Sequence, residues 1–184
     1  MLRIVLFFAA SVVILALSWR SLGNVRAHGF YRFFAFEFLS GLILLNAPAW
    51  FHDPFSGRQL AAWLLAALSI LLAIEGFRLL RILGRPAPIH DKDSGLVAFE
   101  NTSALVTVGV YRWIRHPLYA SLLALAWCAY LKNPLSVFGI ALTLAACGFL
   151  LATAVAEERE NRVRFGAAYA EYSKRTRRFI PFLF

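Results

Sequence analysis

Apolar residues run in long blocks along this chain, and the blocks set its plan. Leu2 to Trp19 is about eighteen mostly apolar residues, enough to cross a bilayer at about 1.5 Å per residue. A second block runs from Phe33 to Phe51, with Pro48 placed to kink or stop a helix near its far end. A third, rich in Leu and Ala, runs from Gln59 to Leu83. Pro117 opens a fourth, as proline does at a first helical turn, and this block is short, ending at about Leu131. The fifth extends from Leu135 to Ala156. The pattern predicts an all-α integral membrane protein of about five transmembrane helices, the fourth and fifth as a hairpin that crosses or re-enters, followed by a cytoplasmic amphipathic helix.

The polar stretches between the blocks supply the connections. Arg20 to Arg32 reads as a short loop, and His52-Asp53-Pro54-Phe55-Ser56-Gly57 has the composition of a turn. The stretch 84–108 is the longest polar connection, with Pro86, Pro88, His90, Asp91, Lys92 and Asp93 in close order. Lys132-Asn133-Pro134 reads as a tight turn. The tail from Glu157 interleaves Glu and Arg with Val163, Phe165, Tyr169 and Tyr172, so it either lies at the interface or continues the fifth span. Arg3 could begin a cleaved signal peptide, but no small-x-small site precedes Trp19-Arg20, which favours a retained first span. The expected organisation is one membrane domain over 1–184, with three N-terminal spans in 1–83 and a cofactor-binding catalytic half in 84–184.

Composition strengthens the membrane reading. The chain is 60 % hydrophobic and only 16 % charged, against roughly 45–50 % and 25 % for soluble domains. Its formal charge of +9 does not point to nucleic acid, because the basic residues sit at the ends of apolar blocks, where lipid headgroups meet them. The stretches 20–32, 78–116 and 157–184 hold 3, 6 and 7 of the 19 Lys and Arg; Arg3, Arg58 and Lys132 lie on the other side. The positive-inside rule then puts the N-terminus outside and the tail in the cytoplasm, as expected for a bacterial-type inner membrane. Trp19, Trp50, Trp63 and Trp113, near block ends, read as interface anchors. Cys128 and Cys147 lie within apolar blocks, and His28, His52, His90 and His116 have no metal-ligand spacing, so neither disulfide nor metal is expected.

Chemistry concentrates in Gly109 to Tyr119, GVYRWIRHPLY. Arg115 lies beside a helix N-terminus, whose free N–H groups attract anions, and Tyr119 shares a face with His116. The plain alternative is that Arg112 and Arg115 hold lipid phosphates and His116 caps the helix. Glu157 and Glu158 close the fifth block; they can accept the hydroxyls of a ribose diol, or form a solvated face paired with Arg162. Acids at a helix C-terminus oppose its dipole, so either the helix continues or something else requires them. Glu37 and Glu75 lie inside apolar blocks, where ionisable residues usually mark function, although Glu75 can pair with Arg78. Asn46 can join two helices by hydrogen bonds. Oligomeric state is not readable.

SALVTVGVYRWIRHPLYASLL, some thirty-five residues of hairpin and then EERENRVRFGAAYAEYSKRTRRFIP resemble the isoprenylcysteine carboxyl methyltransferase family and the related bacterial phospholipid methyltransferases. The resemblance covers roughly residues 85 to 181. It implies an S-adenosyl-L-methionine-dependent membrane enzyme acting on a lipophilic or membrane-delivered carboxylate, amine or thiol, with the cofactor pocket closed by the C-terminal segment. Ser103, Ala104, Leu105, Val106, Tyr111, His116, Pro117, Leu118 and Tyr119 would line the cofactor, with Glu157 on its ribose. Arg115 belongs to the motif as a structural or carboxylate-binding partner. A carboxylate or thiolate acceptor needs no base, whereas an amine needs one, for which Glu158, Glu75 and Glu37 are candidates. Eukaryotic members of the prenylcysteine branch carry an arginine where this chain has Thr153, which weakens a prenylated cysteine as substrate. Two other readings stand beside this one: a sterol-reductase-like enzyme using NADPH, and a non-catalytic helical membrane protein.

Overall fold

The computed structural model describes residues 1–84, 102–133 and 136–183. Most of the expected connection over 84–108, namely 85–101 with His90, and the Pro134 turn lie outside the described residues. Among those described, six α-helices carry the architecture: α1 Leu2–Leu22, α2 His28–Asn46, α3 Gly57–Leu83, α4 Pro117–Lys132, α5 Val137–Phe165 and α6 Ala167–Arg175. The first, second, third and fifth are long and apolar enough to cross a membrane, so the protein is an integral membrane protein. At 16 residues, α4 rises only about 24 Å, short of a hydrocarbon core of about 30 Å.

Several boundaries differ from those the pattern predicts. The polar stretch 20–32 is mostly helical: α1 runs on to Leu22 and α2 begins at His28. Helical hydrogen bonds do not require apolar side chains, so a helix continues into the headgroup zone until capping or turn chemistry stops it. The same reasoning settles the fifth block. α5 continues through Glu157 and Glu158 to Phe165, giving 29 residues and about 43 Å. The two acids therefore sit mid-helix, and their conflict with the helix dipole disappears. The chain then reverses at Gly166, whose φ of 53° and ψ of −129° suit glycine alone, into the short α6.

Packing is by neighbours. α1 leans on α2, α2 on α5 and α4, and α4 on both α3 and α5. Phe34 and Phe38 of α2 stack on Phe149 of α5 at 5.0 and 5.5 Å between ring centroids. α1 is the least enclosed helix, its apolar side chains left for lipid.

The truncated α4 poses a problem at its C-terminus, because its last carbonyls end inside protein, away from water. The structure supplies donors. Asn46 Nδ2 donates to Ala129 O at 2.9 Å, and Arg58 donates to the carbonyls of Leu131 and Lys132. Lys132 is itself fully buried, with Nζ 3.3 Å from the Trp63 ring centroid, 5.3 Å from that of Trp50 and 2.9 Å from Gln59 Oε1. Gln59 in turn donates to Ala49 O and His52 O at 3.0 and 2.8 Å. Two tryptophans expected as interface anchors enclose a cation. Replacing Lys132 with Met should destabilise the protein by about 2 kcal/mol, since Gln59 loses its donor and both rings lose the charge. A thermal-unfolding midpoint in detergent equal to wild type would contradict this.

Candidate functional site

At the end of the bundle opposite Lys132, the chain re-enters the described region at Thr102 and crosses beneath α3. Ala104 N–H donates to Gly84 O at 3.1 Å. A 3₁₀ turn over Gly109–Arg112 then sets Tyr111 inward. Gly109 sits at φ 60°, and a Cβ there would lie 2.6 Å from Leu79 Cδ1, so both backbone and space require glycine. Tyr111 donates to Gly76 O at 3.4 Å, and its own carbonyl accepts from the Tyr172 hydroxyl at 2.8 Å.

The C-terminal segment after α6 comes back alongside this turn. Arg115 N–H donates to Arg177 O at 2.7 Å, His116 N–H to Arg178 O at 3.1 Å, and Arg177 N–H to Trp113 O at 3.0 Å. Ile114 and Arg177 form an isolated parallel bridge. Side chains secure the strap. Arg115 Nε lies 3.0 Å from Glu158 Oε1, while its Nη1 donates to the carbonyls of Ser173 and Thr176 at 3.1 and 2.5 Å. Arg178 binds the same carboxylate through Nε and Nη2 at 3.1 and 3.2 Å. The side chains of Glu158 and Arg115 are only 6 % and 10 % exposed, so this is a buried, hydrogen-bonded ion cluster.

His116 is the N-cap residue of α4, but its side chain makes no capping bond. The ring is buried and stacks on Tyr119 at 5.5 Å, with Nδ1 3.9 Å from Glu157 Oε1 and Nε2 3.5 Å from Glu158 Oε1. Tyr119 donates to Glu157 Oε2 at 2.5 Å. Burial, and then the nearby Glu157 carboxylate, pushes the Tyr111 phenol far above its ordinary range; burial does the same for Tyr169 and Tyr172. All three remain neutral at physiological pH.

These groups face a cavity of about 680 Å³. Of the residues expected at a cofactor, Ala104, Leu105, Val106, Tyr111, His116, Pro117, Leu118, Tyr119 and Glu157 line it; Ser103 is exposed and does not. Arg115 reaches the cavity wall, whereas Glu158 lies behind it, committed to two arginines. Glu37, Glu75 and Thr153 lie elsewhere. Glu37 accepts from Ser11 at 2.7 Å, Glu75 is held by Arg78 through two bonds of 2.9 Å, and Thr153 bonds back to Phe149 O. The N-terminal helices contribute more than the sequence suggested. Leu17, Phe36, Ala73, Ile74 and Phe77 form an apolar wall, and His28 and Arg32 join Glu160, Asn161 and Arg164 at the polar end. One signal for these was available: 157, 160, 161 and 164 fall at i, i+3, i+4 and i+7, one face of a helix if α5 continues.

Bundle and cavity define an integral membrane protein with a chamber at one end of its helices that is apolar over most of its lining and polar at one side. Residues 94–161 match the isoprenylcysteine carboxyl methyltransferase (ICMT) family. Two relatives, each described as "Probable protein-S-isoprenylcysteine O-methyltransferase", come from Oryza sativa subsp. indica and subsp. japonica. Each is 36 % identical over 89 residues, 47 % of this chain and 46 % of theirs, so the chain matches about half the length of these relatives. No solved structure matches. The Arg-His-Pro-x-Tyr stretch and the paired Glu fall within the segment that is similar to the ICMT family.

Glu158→Gln should remove the buried charge that both arginines share, at a cost of about 3 kcal/mol. The C-terminal strap should then become sensitive to limited proteolysis after Thr176. Unchanged protection would mean that the backbone pairing alone holds it.

Proposed function

We propose that the protein is an S-adenosyl-L-methionine-dependent membrane methyltransferase acting on a lipophilic or membrane-delivered carboxylate, amine or thiol. One observation carries the reading: the residues 104–106, 111, 116–119 and 157, dispersed over more than fifty positions, line a single cavity that continues into an apolar wall from α1, α2 and α3. The volume lies within the range of about 300–1,000 Å³ common for small-molecule sites. The donor set suits the cofactor as well. Tyr169 Oη is buried on the cavity wall beside Asn161, where a polar ligand edge would meet both groups. When bound, the cofactor supplies a sulfonium-activated methyl group.

The chain's own residues then bind, orient and keep water out. Glu157, with one oxygen engaged by Tyr119, presents its other to a ribose hydroxyl. The rings of Tyr111 and Tyr119 offer π faces to a positive centre. Glu158, Arg115 and Arg178 act as the lock that keeps the C-terminal strap over the pocket, a positioning role. In-line displacement needs alignment and dryness more than acid–base groups, so this rigid cover is itself useful for rate. In this reading 84–184 forms the cofactor-binding half and the N-terminal helices supply the acceptor wall. α4 and α5 form the hairpin, with the N-terminus outside and the tail cytoplasmic.

Calorimetry in detergent should show S-adenosylhomocysteine binding and no NADPH binding, with His116→Ala and Glu157→Ala each weakening the former by about tenfold or more. If both variants bind like wild type, the cofactor assignment is wrong. A reporter fused to the C-terminus should read out in the cytoplasm; a signal from the opposite side would overturn the orientation.

A further inference from the structure

The strap carries an outer face, apolar and basic, that the bundle does not use. Its backbone pairs with the stretch from Trp113 to His116, and its Arg178 holds Glu158, two residues past Ala156, where the apolar part of α5 stops. The strap therefore runs at the level where hydrocarbon gives way to headgroups. Phe179 turns into the core, but Ile180 is exposed and Phe182 and Leu183 are each 79 % exposed. They sit in a turn closed by Leu183 N–H, which donates to Ile180 O at 3.3 Å. The Phe182 ring lies 5.4 Å from that of Trp113, itself exposed, and the Arg112 guanidinium lies 5.3 Å from the same indole. Arg177, also exposed, is tied by its backbone to Trp113 and bridged to Ile114. Large apolar side chains left out at a membrane boundary, with arginines among them, suit a surface seated in the headgroup layer, where rings reach the acyl boundary and guanidinium groups meet phosphates.

We propose that the face formed by Arg112, Trp113, Arg177, Ile180, Phe182 and Leu183 docks on the anionic headgroup layer of the protein's own bilayer, and that this contact holds the strap shut over the cavity. Its consequence for a cofactor rests on the methyltransferase reading above; the docking does not. Charge selects the occupant, since arginines pair with phosphate oxygens and are drawn to anionic over zwitterionic lipid. Position agrees with it: α4 begins at Pro117, four residues after Trp113, so the face lies where an apolar helix enters the bundle. The strap is then held from both sides. Inside, Glu158 and the backbone pairing fix it; outside, lipid does. Lifting it would strand a buried carboxylate and also draw apolar side chains out of the lipid boundary, so the cavity opens to water less readily on an anionic membrane.

The test places the full-length protein, one copy per nanodisc, in phosphatidylcholine alone or with about a third phosphatidylglycerol, and follows amide hydrogen exchange over 113–116 and 177–183. Exchange at Arg115, His116 and Arg177 should be about tenfold slower in the anionic discs, a difference that about 0.5 M NaCl erases. Arg112→Gln with Arg177→Gln should abolish the lipid dependence, and Phe182→Ser with Leu183→Ser should speed exchange in both bilayers. S-adenosylhomocysteine should leave the wild type about fivefold more slowly in the anionic discs. Wild-type exchange within about twofold in the two bilayers overturns the proposal without any variant, so a variant that fails to fold does not stall the test. So does a lipid dependence that survives the paired arginine substitutions. Protection that follows the number of copies per disc rather than lipid charge would make the face a contact between copies, and also overturns it. Equal release of S-adenosylhomocysteine from the two bilayers overturns the hold on the cavity. Failure to bind S-adenosylhomocysteine at all would instead remove the methyltransferase reading and leave the exchange result standing.

Discussion

The buried Glu158 carboxylate is the constraint on which the rest of the site depends. It sits mid-helix on α5, almost without water, and two arginines from different parts of the chain converge on it. Arg115 precedes α4; Arg178 belongs to the strap that follows α6. An anion in that position is tolerable only with both partners in place, because the penalty for burying it is offset by their charges and by hydrogen bonds that use its lone pairs. The strap, the start of α4 and the extended part of α5 are thereby fixed relative to one another, and the wall of the cavity with them. His116 and Tyr119 stack where they do because the backbone that carries them is pinned on both sides.

The opposite end of the bundle shows the same economy with reversed sign. There the buried charge is a cation, Lys132, enclosed by tryptophan faces and a glutamine oxygen. Both devices serve short or interrupted helices. α4 cannot cross a membrane on its own length, so its C-terminal carbonyls are satisfied by Asn46 and Arg58 rather than by water. Its N-terminus meets the strap. At the strap end lies a cavity that is polar where α5 extends past its apolar portion and apolar where α1 to α3 face it. A water-soluble ligand and a lipophilic one can share such a chamber, each at its own side, as the proposed methyl transfer requires.

What the chain established by itself was its solvent and several of the residues that line the cavity. Apolar blocks of bilayer length set the helices, Pro117 and Pro48 marked a start and a stop, and the Arg-His-Pro-x-Tyr stretch with Glu157 marked one wall of the cavity. These are local properties, carried by periodicity and by residues whose backbone demands are their own. The partners of single charges are not local. Glu157 and Glu158 are neighbours in sequence, yet one faces the cavity and the other the lock behind it, because successive residues on a helix point about 100° apart and only the packed neighbours decide which direction is wet. Glu37 read as functional from its apolar surroundings, and the fold gave it to Ser11, whereas the local Glu75–Arg78 pair, legible as an alternative, is present. His28 and Glu160, 132 positions apart, meet only because α2 lies against α5. Hydrophobic period determines that two helices will be buried; which faces meet, and so which acid finds which base, is left to tertiary packing.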